Sequence, residues 1–182
     1  EAAEAKLRAE LLEARVSAVS TAQTAVNSAK TKLPKEASLL GTINRVKAQV
    51  DRIKNAEKTL ALDPNDATQQ AVIEAAVKEI ERTFNNFMTS YNSIKQSAAT
   101  VADKVRVVET AVEYFKTSGI YSQQFIDDST QYLTQIQDVK AQMDEVMATA
   151  DSNLARVLEA AAGHVSVADE EETEEEVVED TV

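Results

Sequence analysis

The sequence predicts an all-α protein, an elongated antiparallel helical bundle of four main helices at about 2–32, 36–62, 66–117 and 122–162. Three observations predict it. Only three glycines and two prolines interrupt 182 residues, so the chain has turn material for few, long elements. Alternating Val/Ile/Thr/Tyr runs bounded by turns, the mark of strands, are missing. Apolar residues instead recur in steps of three and four, the spacing that lines one face of a helix.

In the first helix strong helix formers fill the opening half. Leu12, Val16, Val19, Val26 and Leu33 fall on a 4,3 spacing, with Gln23 and Lys30 in the remaining slots. The stretch KTKLPKEASLLGTINRV (30–46) then turns a corner, where Pro34 suits the start of the second helix. Gly41 falls one to two turns inside that helix, at a cost of roughly 1 kcal/mol relative to Ala, and suggests a close helix approach or a later helix start. The second seam reads Leu39, Ile43, Val46, Val50, Ile53 and, after one skipped position, Leu60. LDPND (62–66) stops this helix and starts the next, with Asp63 as the expected cap, Pro64 at the first helical position and Asp66 in the first turn.

The third helix carries the strongest signal. Ile73, Val77, Ile80, Phe84, Phe87, Tyr91, Ile94, Ala98, Val101, Val105, Val108, Val112 and Phe115 alternate in steps of four and three without an error. A seam this long argues for coiled-coil packing in a spectrin-like spine, about 78 Å long at ~1.5 Å per residue. The place for a break into two staggered sub-bundles is 97–104 (SAATVADK), where seam residues shrink and Ser/Thr collect. Gly119 and Ser122 in KTSGIYSQQ end the third helix and cap the fourth. There Phe125, Tyr132, Ile136, Val139, Met143, Val146, Ala150 and Val157 form one side, widened by Leu133, Met147, Leu154 and Leu158, as a helix with two neighbours requires. Five of the eight aromatic residues (Tyr114, Phe115, Tyr121, Phe125 and Tyr132) surround the third corner, which reads as the best-packed hairpin end. The first two helices are expected to pack together on the N-terminal part of the third, leaving the rest of the third to pair with the fourth.

Nineteen basic and 31 acidic residues give a formal charge of −12. Nine of the acids lie in 169–180 (DEEETEEEVVED), and without them 22 acids face 19 bases. The expected domains are thus a near-neutral bundle over 1–163 and an acidic, disordered tail over 164–182 that solvates the chain. No basic stripe is present to neutralise phosphates, so nucleic acid is not an expected partner. An anionic membrane surface repels the tail, and the narrow Ala/Val seams suit helix-on-helix burial better than lipid. With no cysteine there is neither disulfide nor thiolate metal site. The chain opens at Glu1 without Met or a signal-like segment, as a processed product or an excised fragment would.

No residue is expected to carry catalysis or to hold a metal or cofactor. His164, the only histidine, follows Gly163 and reads as a solvated residue at a helix C-terminus. The carboxylate pairs Glu10/Glu13, Glu109/Glu113 and Asp127/Asp128 lie off the seams, and no Glu-x-x-His accompanies them as a di-metal bundle requires. DPNDATQQ (63–70) has oxygen ligands but lacks the central Gly and terminal Glu of a calcium loop, and capping explains it.

One resemblance adds a location. Ala22-x-x-Ala25-Val26-x-x-Ala29-x-x-x-Leu33-Pro34, followed by Leu39-Leu40-x-x-Ile43-x-x-Val46-x-x-x-Val50, resembles the helix–Leu-Pro–helix units of Gram-positive surface and S-layer proteins. AEKTLALDPNDATQQAVIEAAVKEIERTFNNF (56–87) is similar to the next helix of such a three-helix module, so the likeness covers about 20–90. The chain has no second Leu-Pro unit, and its third helix is longer than one module needs. The resemblance implies a secreted, cell-surface structural protein with a protein or cell-wall polymer as partner, or self-association. Two other classes fit the residues: a membrane- or granule-associated amphipathic protein such as a pore-forming toxin component, and an intracellular scaffold whose acidic tail holds a basic partner.

Overall fold

The computed structural model describes residues 2–167, so the acidic stretch 169–180 lies outside the described residues. Within them the chain forms four α-helices and no strand: α1 (Ala2–Lys32), α2 (Glu36–Leu62), α3 (Ala67–Ser118) and α4 (Gln123–Ala161). Each boundary lies within one residue of the one the spacing predicts. α3 runs unbroken through 97–104.

The ends are set by local chemistry. Asp66, not Asp63, caps α3: its side chain accepts from the Thr68 and Gln69 N–H groups at 3.0 and 3.2 Å. Asp63 instead accepts from the Asn65 N–H at 3.3 Å and so holds the turn that Pro64 occupies. The cap falls three residues later than expected because only Asp66 sits at the extended residue preceding the first helical turn. Gly119 ends α3 in the left-handed region at φ 73°, and the Ser122 hydroxyl accepts from the Phe125 N–H. Pro34 stays outside α2, which begins at Glu36. Gly41 is exposed with open space around it, so no close approach requires a glycine there.

The α3 seam is the core of the molecule. Ile80, Phe84, Tyr91, Ile94, Val101, Val105, Val108, Val112 and Phe115 are buried, and Ile73, Val77, Phe87 and Ala98 pack partly against them. α2 contributes Leu39, Ile43, Val46, Val50 and Ile53, as its spacing predicts; at the skipped position Glu57 is exposed, and its neighbour Ala56 is buried instead. α4 contributes Phe125, Ile136, Val139, Met143, Val146, Ala150, Leu154 and Val157. In α1 the register differs from the expectation. Arg15, Ala18, Ala22, Val26 and Ala29 are buried, whereas Val16 is 47% exposed. The expected Val26 stays buried and Val19 and Leu33 pack partly against the core, while the stripe of small residues that faces two neighbours takes the remaining buried positions.

The topology corrects the expected pairing. α1 and α2 do not pack side by side; each packs on both α3 and α4. Arg15 lies against Phe115, Pro34 shares a groove with Phe87, and Arg52 shares one with Val72 and Glu79. The first two helices therefore follow one another along α3, joined end to end at 33–35, and make one broken rod beside two continuous ones. Exposed contacts hold the register: Glu36 and Arg156 pair at 2.9 and 3.2 Å, and Lys30 donates to Gln142 Oε1 at 3.2 Å. Beyond α4, the left-handed residues Ala162 and Gly163 turn the chain aside, and Val165 packs against the core.

Candidate functional site

The densest chemistry lies at the α3–α4 corner. The turn at Gly119 folds the start of α4 back on the end of α3, which brings Phe115 and Phe125 together with ring centroids 5.0 Å apart. Tyr121, in the turn, stacks on Phe125 at 5.0 Å and meets Phe115 edge-on at 4.8 Å. Tyr114 adds an edge contact to Phe115 at 6.0 Å while staying largely exposed.

Into this cluster α1 inserts Arg15. Its guanidinium carbon lies 4.6 Å from the centroid of Phe115 and 5.4 Å from that of Phe125. Arg15 is 2% exposed, and among the described residues its Nε and one terminal nitrogen, Nη2, have no hydrogen-bond partner. Burial pushes its pKa down, with Tyr132 and Tyr121 opposing in part. An arginine remains charged even so, and a cation over two desolvated rings gains about 2 kcal/mol from their quadrupoles. That gain is smaller than the several kcal/mol by which burial disfavours an unpaired charge. The contact therefore ties α1 to the corner without a net gain in stability.

A second polar contact lies farther along the spine. The Tyr91 hydroxyl donates to Asp151 at 2.7 Å, and burial, with that hydrogen bond, pushes the phenol up to about 12. Beside the end of α4 an open groove of about 460 Å³ is lined by Leu40, Ile43, Lys47, Val50, Arg156 and Ala160.

The residues singled out from sequence stay apart. His164 follows the end of α4, its backbone N–H bonded to the Ala161 carbonyl at 3.0 Å. Glu10, Glu13, Glu109 and Glu113 are exposed. Asp127 and Asp128 accept from Gln123 and Gln124, each at 2.9 Å. Among the described residues no group of three or more His, Asp or Glu side chains comes together, and no helix is long and apolar enough to cross a membrane. Arg15 is hard to read from sequence because a lone arginine in LEARVSAV looks solvated. The signal was the alanine spacing at 18, 22 and 29, which extends back to position 15. Compared with models of protein families, with curated proteins and with solved structures, the chain matches none.

Proposed function

We propose that the protein is a non-enzymatic structural and interaction module, a stiff helical spacer in an exposed assembly such as a bacterial cell-surface layer or adhesin stalk. The observation that supports this reading is α3. Its 52 residues run without interruption, about 78 Å, while α4 and then α1 and α2 in succession pack along it. Three helices side by side resist bending better than one, and the seam residues set the length. The exposed location rests on the resemblance of 20–90 to surface-protein modules.

Two measurements test the parts separately. Small-angle scattering should give a radius of gyration of about 25–30 Å for a rod of this length, against roughly 16 Å for a compact domain of the same size. A value near 16 Å overturns the spacer. Antibodies raised against the purified chain should label intact source cells, and labelling that appears only after lysis overturns the exposed location.

A further inference from the structure

The geometry points to a binding site for a small planar oxyanion, a carboxylate of formate or acetate size, on the side-on edge of the buried Arg15 guanidinium at the α3–α4 corner. The inference is independent of the spacer reading and gives this corner a ligand.

Three buried side-chain atoms have no hydrogen-bond partner among the described residues: Arg15 Nε, Arg15 Nη2 and Ser118 Oγ. All three belong to this one corner. Ser118 stands one turn beyond Phe115, the ring over which Arg15 lies. α1 runs parallel to α4, since Arg15 meets Phe125 and Lys30 meets Gln142. It is therefore antiparallel to α3, which pairs with α4 through Phe115–Phe125 and Tyr91–Asp151. Helical side chains lean toward the N-terminus of their own helix, and this carries the Arg15 guanidinium toward the level of Ser118.

The two free nitrogens are a matched pair. The Nε–H and the Nη2–H beside it point the same way, and that edge fits the two oxygens of one carboxylate. The phenylalanine rings meet the charge but leave the hydrogen bonds unmade, because a ring face carries no acceptor oxygen. The acids nearby do not make them either. Glu10, Glu13, Glu109, Glu113 and Asp127 are exposed, and Asp128 accepts from Gln124. Buried polar groups are almost always paired, so a whole fork edge on a residue only 2% exposed marks a place for a ligand. A water molecule leaves the buried charge unbalanced, whereas an oxyanion takes both N–H groups and neutralises it. Tyr132 and Tyr121 lie close enough to act on the Arg15 charge, and their phenols can donate to the remaining lone pairs. A carboxylate borne on another protein cannot reach so buried an edge without displacing the corner. A free ion needs only the exposed turn at Gly119, Ile120 and Ser122 to give way. Once bound, it joins α1, α3 and α4 at one point and locks the first half of the bundle.

Sodium formate is the probe, with sodium chloride holding the ionic strength constant. In the unmodified chain the Arg15 Nε–H resonance should move saturably as formate is added. The melting midpoint should rise by roughly 3–6 °C at a tenfold excess over Kd. Arg15→Lys keeps the charge and loses the fork, so formate should bind about tenfold more weakly. Arg15→Met should not respond to formate at all. An Arg15 resonance that stays in place overturns the site, whether or not either variant folds. So does a thermal shift that chloride reproduces, or one that Arg15→Met retains.

Discussion

The half of the bundle built on α1 and the half built on α2 have the same architecture and are held by different chemistry. α2 buries Leu39, Ile43, Val46, Val50 and Ile53, each worth ~1.5–3 kcal/mol of apolar burial before entropy is counted. α1 buries Val26 and three alanines, together with a charged arginine. Its face is nearly flat, so the space between the rods is filled from the other side, by Ile94, Val101, Val105, Val108, Ile136 and Val139. One half is thus locked by its own side chains. The other is a smooth helix laid against side chains that belong to its neighbours.

Four substitutions break or sharpen that contrast, taken from the largest expected effect to the smallest. Leu39→Ala in α2 leaves a cavity and should cost about 2–5 kcal/mol in urea denaturation; a cost near zero means that α2 is not locked as described. Ala22→Leu in α1 should also destabilise, by about 1–3 kcal/mol, because a fully buried alanine on a flat face has no room for extra methylenes. Tolerance of leucine there removes the distinction between the halves. Arg15→Met is expected to raise stability by roughly 1 kcal/mol, since relief of an unpaired buried charge outweighs the lost cation–π contact. A loss of similar size shows that the aromatic cluster holds the cation at a net gain.

The smallest effect is one of pH. Burial first, and then the bond to Asp151, raise the Tyr91 phenol from 10.0 to about 12 in the folded chain. Below pH 10 both states keep the proton, and the contribution is fully present. As the pH rises from 10 to 12 the unfolded chain ionises before the folded one, so this stability is lost. Tyr91→Phe should flatten the alkaline decline, which denaturation at pH 9 and pH 11 measures. Parallel declines in the two proteins rule out Tyr91 as its source.

Different parts of this architecture were legible to different degrees. The α3 seam could be read residue by residue because Ile, Val, Phe and Tyr on one face are costly to expose, and only one register buries them all. The same logic placed α2 and α4. In α1 it held at Val19, Val26 and Leu33 and failed at Val16, because the buried face is centred one position earlier, on Arg15, Ala18, Ala22 and Ala29. Alanine is too small for its burial to dominate a local pattern, so the choice of face depended on what α3 and α4 present. The corner at Leu33 and Pro34 was legible as a break but not as a straight one.

By itself the sequence determined the helices, their ranges to within a residue though not the residue that caps α3, and the buried faces of α2, α3 and α4. Those features follow from periodicity and capping, which act within a few turns of chain. Only the tertiary structure decided that α1 and α2 lie in succession along α3 and that Arg15 enters the aromatic corner. Periodicity states which side of a helix must be covered; what covers it depends on helices far away in the chain. Here the answer was shared between α3 and α4, which meet both halves of the broken rod.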